Sequence, residues 1–435
     1  MSIASIESLD REGRGVAHVE GKAIFIDGAL PAEVVSYCAY KKKPSYEFAQ
    51  IVDLHKASSS RVQAQCPWFG RCGGCALQHY DLRAQVAAKQ RILEDALWHI
   101  GRLRPARMLS PVSGPAWGYR HRARLSVRLV PKKGGVLVGF HERKSSYVAE
   151  MSSCEVLPPR ISAAIPKLRD LVSALSIRDR LPQVEVAVGD RVSVMVLRIL
   201  ANPSADDEAL LRRFAEEEGF QLWMQPQGPD TARPFWPLEA PALDYALPEF
   251  DVRVGFLPTD FTQVNHAVNR ILVRRALRLL DPRANERIGD FFCGLGNFTL
   301  PLGRSGASVR GWEGSEGLVT RARLNAVANG LSDKCRFEAV NLFQADQCER
   351  VLREAGALDK VLIDPPREGA TELVKALTVN NEPQRIVYVS CDPATLARDA
   401  AILVKDQRYV LDAAGVINMF AHTAHVESIA VFERI

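Results

Sequence analysis

The sequence lacks the features of a membrane-spanning or secreted protein. No apolar run approaches the roughly 18 residues that a membrane-spanning helix requires. The N-terminal stretch MSIASIESLDREGRG has no basic segment followed by an apolar one, so it is not a secretory signal. Neither sign of charge dominates, since 56 Lys and Arg stand against 51 Asp and Glu, which leaves a net charge of +5. These absences exclude a membrane protein and predict a cytoplasmic one.

The cysteines do not form the pattern of a disulfide framework. They number nine, an odd count, and they are unevenly spread along the chain. In a reducing compartment such cysteines are seldom paired, and clusters among them indicate metal binding or catalysis. The 435 residues are enough for two or three domains with a large hydrophobic core.

Three regions differ in their patterns. Residues 1–58 read as short strands broken by glycine turns, which predicts a small antiparallel barrel. Residues 59–255 begin with a cysteine-rich loop and a helix over about 84–102, which could extend to 105 and pack on the last region, and continue mainly as strands. In residues 256–435 helices alternate with strands, which predicts an α/β fold with a doubly wound, mostly parallel sheet and a crevice at the strands' carboxyl ends.

Polar residues follow successive predicted strands of the last region. Gly294 and Gly296 let the backbone approach a ligand closely, and Glu313 after the next strand can accept both hydroxyls of a ribose. Asn341 and Asp364 follow the third and fourth strands. Because no lysine of the phosphate-binding type accompanies them, an adenosine ligand without a pyrophosphate fits better than ATP or NAD. The pattern therefore predicts an S-adenosylmethionine site.

Cys391 lies where the strand of IVYVSCDPATLARD gives way to a helix. A structural thiol, a metal ligand and a nucleophile are all consistent with that position. Asp364 ends the preceding strand and Glu427 begins the last one, so both could face the same crevice. A thiolate there could add to carbon 6 of a uracil, activate carbon 5 for methylation, and leave after a base removes the carbon 5 proton. We expect the helix N-terminus to lower the pKa of Cys391 below the roughly 8.5 of a free thiol.

Three further cysteines crowd into the loop CPWFGRCGGC. Cys66, Cys72 and Cys75 lie close together in sequence, and Cys154 is the best candidate for a fourth ligand. Four thiolates suit either zinc or an iron–sulfur cluster, and their spacing does not choose between the two.

A nearby stretch, YRHRARLSVRL, carries arginines at alternate positions. On a strand, Arg120, Arg122, Arg124 and Arg128 would share one face, while Ala123, Leu125, Val127 and Leu129 would face the core. A row of guanidinium groups matches a phosphate backbone, so this face predicts nucleic-acid binding.

Over nearly its whole length the sequence resembles the RNA uracil-5-methyltransferases, specifically the type that acts on 23S ribosomal RNA. The resemblance lies in DREGRGVAHVEGKAIFIDGALPAE, the cysteine loop, DFTQVN, FCGLGNFTL, IDPPR, IVYVSCDPATLARD and HVES. It implies an OB-like TRAM barrel at residues 1–58, a central mainly-β domain at residues 59–255, and a Rossmann-like class I methyltransferase domain at residues 256–435. One departure is DPPREG, where related members have Ala after the first proline, and this should affect the loop's shape but not the chemistry.

The resemblance also implies ligands and roles for particular residues. Cys391 would be the nucleophile and Glu427 the proton-abstracting base. A [4Fe-4S] cluster would be bound by Cys66, Cys72, Cys75 and Cys154. S-adenosylmethionine would be bound by Gln263, Phe292, Asn297, Glu313, Asn341 and Asp364. The partner would be 23S ribosomal RNA, with a flipped uridine as substrate, and the protein would act as a monomer at no membrane.

Two other functions remain open at this stage. An amino-methyltransferase would use the Asp-Pro-Pro loop to hold an exocyclic amine and would need no thiol. An RNA-binding assembly factor would keep the barrel and the cluster without catalysis. The same uracil chemistry on another ribosomal or transfer RNA uridine is a further variant.

Overall fold

The computed structural model describes residues 2–406 and 409–435, and its N-terminal part forms a six-stranded sheet. The strands are β1 (Ser2–Ser5), β2 (Ser8–Leu9), β3 (Gly15–Val19), β4 (Lys22–Asp27), β5 (Val34–Lys42) and β6 (Tyr46–Lys56). Their order is β1-β5-β6-β4-β3-β2. The predicted strands are confirmed, but the sheet is not purely antiparallel. Strand β6 lies between β4 and β5, and it pairs antiparallel with β5 and parallel with β4.

An irregular segment and a helix follow this sheet. The helix α1 (Leu82–Ala96) begins where the Asp81 side chain accepts hydrogen bonds from the backbone N–H groups of Arg83 and Ala84. A wide turn over residues 97–101 and the short strand β7 (Arg107–Met108) continue the chain. Leu93 of α1 is fully buried in a core shared with the C-terminal region, and β7 adds to the edge of the C-terminal sheet.

The central region forms a second six-stranded sheet and a separate hairpin. Its elements are β8 (Arg122–Val130), β9 (Gly135–Gly139), α2 (Pro159–Ala174), β10 (Gln183–Val188), β11 (Ser193–Arg198), α3 (Ala205–Glu218), β12 (Gln221–Gln225), β13 (Arg233–Trp236), β14 (Asp244–Leu247) and β15 (Val252–Gly255). The sheet order is β13-β12-β11-β10-β8-β9, and β14 pairs with β15. Two helices, α2 and α3, stand among the strands of this otherwise mainly-β region.

The C-terminal region contains the predicted alternation of helices and strands. Its elements are α4 (His266–Leu280), β16 (Arg287–Phe291), α5 (Thr299–Arg304), β17 (Ser308–Glu313), α6 (Glu316–Ala328), β18 (Cys335–Ala339), α7 (Ala345–Ala355), β19 (Lys360–Ile363), α8 (Thr371–Asn380), β20 (Arg385–Ser390), α9 (Pro393–Asp406), β21 (Tyr409–Ile417) and β22 (Glu427–Arg434). The eight-stranded sheet has the order β18-β17-β16-β19-β20-β22-β21-β7. Strands β16 to β20 are parallel, and β22 enters antiparallel beside β20. This α/β sheet confirms the Rossmann-like expectation.

The arginine-rich strand is only partly as predicted. Alternation holds along β8, where Ala123, Leu125 and Val127 are buried, but Leu129 is exposed. Arg120 lies before the strand, which begins at Arg122. Its backbone N–H donates a hydrogen bond to the carbonyl of Val156, which is not part of the sheet. The expected row is therefore confirmed for Arg122, Arg124 and Arg128 and wrong for Arg120, which lies outside the strand.

Two arginines of that strand also have an acidic partner. Arg124 pairs with Glu185 of the neighbouring strand at 2.9 Å, and Arg122 lies 3.9 Å from the same carboxylate. Charges neutralised in this way attract a phosphate backbone less than free ones do.

Among the described residues, no helix has the length and apolar character needed to cross a membrane.

Candidate active site

The carboxyl ends of the parallel strands open into a pocket of about 590 Å³. Consecutive parallel strands all present these ends at one edge of a sheet, which is where α/β proteins bind their ligands. The pocket is lined by all eight residues expected to bind S-adenosylmethionine or to act in catalysis: Gln263, Phe292, Asn297, Glu313, Asn341, Asp364, Cys391 and Glu427. The structure therefore brings together residues that lie up to 164 positions apart in the sequence.

The glycine loop after β16 and the carboxylate after β17 are held against each other. The backbone N–H of Gly294 donates to the Glu313 carboxylate at 3.1 Å, and that of Ser315 donates to its other oxygen at 3.0 Å. Gly294 has a φ of 54°, a left-handed conformation that glycine adopts without a steric penalty. Phe292 also has a positive φ, 63°, which is strained for a phenylalanine. The loop is thus shaped at a local cost in energy, as is common in binding sites.

Asn297 is fixed by two neighbours from outside the glycine loop. Its side-chain oxygen accepts hydrogen bonds from the Tyr245 hydroxyl at 2.9 Å and from the Asn269 amide at 2.8 Å. Its own amide donates back to Asn269 at 3.0 Å. Asn341, after β18, accepts a hydrogen bond from the backbone N–H of Phe343 at 3.1 Å. Both amides therefore have fixed orientations at the pocket wall.

Cys391 lies between the end of β20 and the start of α9. The side chain of Asp392 accepts a hydrogen bond from the backbone N–H of Ala394 at 2.8 Å and so caps the helix. The same carboxylate pairs with Arg11 of the N-terminal sheet at 2.6 Å. The thiol is partly accessible and faces the pocket that Glu427 and Asp364 also line.

These three groups share one poorly solvated site, and their pKa values move accordingly. Burial raises the pKa of Cys391 to about 12, and the Glu427 and Asp364 carboxylates contribute to the rise. Burial, followed by Asp364, raises the pKa of Glu427 to about 8, while Arg367 opposes the shift. Burial raises the pKa of Asp364 to about 7. The expected lowering of the Cys391 pKa was therefore wrong, because desolvation and two acidic neighbours outweigh the helix N-terminus.

The four clustered cysteines lie around a second cavity of about 250 Å³, which we call the thiol cavity. Cys66, Cys72, Cys75 and Cys154 all line it. The backbone N–H of Gly73 donates to the carbonyl of His141 at 2.9 Å, which ties the loop to the central region. In the described part of the chain, no three His, Cys, Asp or Glu side chains converge closely enough to hold a single metal ion.

Several residues line the reaction pocket, which is the pocket at the strands' carboxyl ends, although the sequence did not assign them to it. They are Arg120, Phe261, Phe343, Arg367, Phe420 and His425. Phe261 and Arg367 lie within three positions of predicted residues, in DFTQVN and IDPPR, so the motifs themselves contained that signal. Arg120 and His425 line both the reaction pocket and the thiol cavity, a proximity that no local pattern could reveal.

Comparison with known proteins agrees with this arrangement. The model of the tRNA (Uracil-5-)-methyltransferase family matches residues 250–435. Among solved structures, the Pyrococcus abyssi tRNA (uracil-54, C5)-methyltransferase, determined with S-adenosyl-L-homocysteine, aligns with a TM-score of 0.76. It is 24% identical and covers 99% of this chain and 100% of its own, a likeness that shows the fold. Fold and pocket together define an S-adenosylmethionine-dependent methyltransferase.

Curated relatives narrow this class to one family. The 23S rRNA (uracil(1939)-C(5))-methyltransferase RlmD of Nitrosospira multiformis is 62% identical over 99% of this chain and 98% of its own. The protein of the same name from Aromatoleum aromaticum is 59% identical over the full length of both chains. The chain belongs to the RlmD family of RNA uracil-C5 methyltransferases, which confirms the resemblance inferred from the motifs.

Proposed function

We propose that this protein transfers a methyl group from S-adenosylmethionine to carbon 5 of a uridine in 23S ribosomal RNA, the uridine numbered 1939 in the names of its relatives. The observation that carries the proposal is one pocket lined by a thiol, two carboxylates of raised pKa and the glycine loop. An amino-methyltransferase would have no use for Cys391 in that place. A non-catalytic assembly factor would need neither the thiol nor its acidic partners.

The raised pKa values define how the thiol can react. Cys391 rests as a thiol, so it must lose its proton as its sulfur bonds to carbon 6 of the uracil. Asp364, with a pKa of about 7, is partly ionised near neutral pH and lies close enough to influence the thiol's pKa. We assign acceptance of the thiol proton to Asp364. Either Asp364 or Gln263 would form the hydrogen bond to the pyrimidine edge.

Addition of the sulfur turns carbon 5 into an enolate carbon. S-adenosylmethionine supplies the electrophilic methyl group, which carbon 5 attacks as the sulfonium–methyl bond breaks. Glu427 then takes the proton from carbon 5. The electron pair of the broken C–H bond re-forms the double bond between carbons 5 and 6, and the Cys391 sulfur leaves carbon 6 with the electrons of the C–S bond. A pKa of about 8 makes Glu427 a stronger base than an ordinary carboxylate when it is ionised, which suits removal of a weakly acidic proton.

For the methyl donor we propose the six residues that the resemblance implies: Gln263, Phe292, Asn297, Glu313, Asn341 and Asp364. Glu313, whose carboxylate is already oriented by the Gly294 and Ser315 backbone, would accept the ribose hydroxyls. The ring of Phe292 lies 5.7 Å from that of Phe343, and both face the pocket, where an adenine could pack. Asn297, Asn341 and Gln263 supply the remaining polar contacts.

For the thiol cavity we propose a [4Fe-4S] cluster bound by Cys66, Cys72, Cys75 and Cys154. Four thiols around a cavity of about 250 Å³ suit a group larger than one ion, which favours a cluster over zinc. Two donors that line the cavity, Trp68 Nε1 and Arg120 Nε, are buried with no hydrogen-bond partner among the described residues. Such N–H groups match the sulfur acceptors of a cluster, which would organise the fold here without taking part in methyl transfer.

The remaining assignments concern domains and partners. We propose that residues 1–58 form a TRAM-type RNA-binding domain, residues 59–255 the cluster-bearing domain and residues 256–435 the methyltransferase domain. We propose that the protein acts as a monomer on a flipped uridine.

The decisive experiment traps the covalent adduct. A 23S ribosomal RNA fragment containing 5-fluorouracil in place of uracil has no removable proton at carbon 5, so the methylated adduct cannot decay. The wild-type chain should form a denaturant-stable protein–RNA complex that carries the methyl label of S-adenosylmethionine, and Cys391→Ala should not. Cys38→Ala, which removes an exposed thiol of the N-terminal sheet, is the matched control and should trap RNA normally. Methylation of normal RNA by Cys391→Ala would refute the mechanism and favour an amino-methyltransferase.

A further inference from the structure

The base Glu427 is delivered to the pocket by a buried connection. Residues 418–426 join β21 to β22, and we call them the strap. Phe420 and His425 of the strap line the reaction pocket, and Thr423 and His425 line the thiol cavity. Glu427 follows the strap directly and is the first residue of β22, where it pairs with Ile417 of β21. The strap and the sheet therefore meet at this residue and together set where its carboxylate enters the pocket.

Helix α1 holds the strap with two buried polar side chains. The Nζ atom of Lys89 donates to the side-chain oxygen of Asn418 and to the carbonyl of Phe420, each at 2.8 Å. The side-chain oxygen of Gln85, one turn earlier, accepts a hydrogen bond from the backbone N–H of His422 at 2.9 Å. Lys89 is 1% exposed, and Gln85 is fully buried.

The segment that follows the cysteine loop is also hydrogen-bonded to the strap at His422. The backbone N–H groups of Ala76 and Leu77, directly after Cys75, both donate to the carbonyl of His422 at 2.9 Å. His422 has a φ of 64°, and its ring stacks on Trp117 at a centroid distance of 3.9 Å. A left-handed residue held from three sides marks a bend that the surroundings impose on the strap.

A buried lysine in this position calls for an explanation beyond packing. Moving an ammonium group out of water costs several kcal/mol even after relaxation, and an apolar residue of similar volume avoids that cost. Lys89 lies on the face of α1 that also carries the buried Leu93, and methionine is an unbranched apolar side chain of similar volume. What lysine adds is a pair of directed hydrogen bonds to two points of the strap that are two residues apart.

We propose that Lys89 is a positioning residue for the last step of the reaction, because it fixes the strap and thereby the placement of Glu427 at carbon 5 of the methylated uracil. The inference rests on the proposed function. It requires that loss of Lys89 slows elimination of the Cys391 adduct selectively. The thiol that adds and the residues proposed for the methyl donor lie outside the strap, so elimination is the step that depends on it most.

The test is a single-turnover reaction of the whole chain with an unmodified 23S ribosomal RNA fragment and methyl-labelled S-adenosylmethionine. Quenching in denaturant separates labelled RNA still bound to protein from labelled RNA already released. Lys89→Met removes the two hydrogen bonds and keeps a similar volume. The control is Arg91→Met, which removes an exposed cation of the same helix that pairs with Asp95. Asn418→Leu, which removes one acceptor from the strap side, provides a second variant if Lys89→Met does not fold.

In Lys89→Met the labelled adduct should decay at least about tenfold more slowly than in the wild type, since small displacements of a catalytic base carry penalties of this size. The affinity for S-adenosylmethionine should be unchanged, and the rate of adduct formation should change much less than the rate of decay, although Glu427 also influences the pKa of Cys391. Arg91→Met should match the wild type throughout. Normal adduct decay in a folded Lys89→Met or Asn418→Leu variant would overturn the inference, and so would an equal slowing of formation and decay. Absence of methyl-labelled RNA from the wild type and from Arg91→Met would refute the proposed function instead.

Discussion

Replacing Glu427 with glutamine should stabilise the protein at alkaline pH while it stops turnover. Glu427 is 3% exposed, and burial raises its pKa from 4.5 to about 8. Because the folded state holds this proton more tightly than the unfolded state, the protonated carboxyl stabilises the fold fully below pH 4.5. That contribution is lost as the pH rises through about 8. Since each pKa unit corresponds to about 1.4 kcal/mol, the shift sets an upper limit of about 5 kcal/mol.

The gain should be smaller than this limit. Asp364 titrates in the same site and shares the shift, and local relaxation reduces the cost of ionising a buried carboxyl. For Glu427→Gln we therefore expect a gain in the free energy of unfolding of about 1–3 kcal/mol at pH 9 and little change at pH 5.

Thermal unfolding of wild type and Glu427→Gln, measured across pH 5 to pH 9, tests this expectation. Glu368→Gln, which removes an exposed carboxylate from the loop after Asp364, is the matched control and should not change the pH dependence. A gap between Glu427→Gln and the wild type that stays constant across this range would refute the reasoning. Activity in the same preparations should be lost through accumulation of the methylated adduct, because no base removes the carbon 5 proton.

Three further substitutions test other parts of the structure. Asp399→Asn should lower the free energy of unfolding by about 2–4 kcal/mol in chemical denaturation. The buried Asp399 carboxylate accepts hydrogen bonds from the Tyr388 hydroxyl and from the backbone N–H of Ala370, each at 2.7 Å. An unchanged denaturation midpoint would contradict that role. Glu313→Ala should weaken S-adenosylmethionine binding by about tenfold or more in calorimetry, and full affinity would remove Glu313 from the proposed site. Cys154→Ser should lower the iron content of anaerobically purified protein, whereas equal iron content in the variant and the wild type would exclude this residue as a ligand.

Much of the site could be predicted from the sequence because it depends on local order. In a parallel sheet the residues after successive strands must meet at one edge, so Glu313, Asn341, Asp364 and Cys391 could be assigned to one crevice from their positions alone. The clustering of the thiols was predictable for a similar reason, since three of them share one short loop.

What the sequence could not determine depends on groups brought together from distant parts of the chain. The pKa of Cys391 rises because two carboxylates and a desolvating pocket surround it, although its position before a helix alone predicts the opposite direction. Arg122 and Arg124 have Glu185 beside them only because β8 pairs with β10. The amino-acid order by itself determined which chemical groups lie at the edge of the sheet, because the residues at the carboxyl end of a strand are the ones that follow it along the chain. Only the tertiary structure decided how strongly those groups perturb one another and which buried residues hold the strap, because solvent exclusion and distance depend on the whole fold.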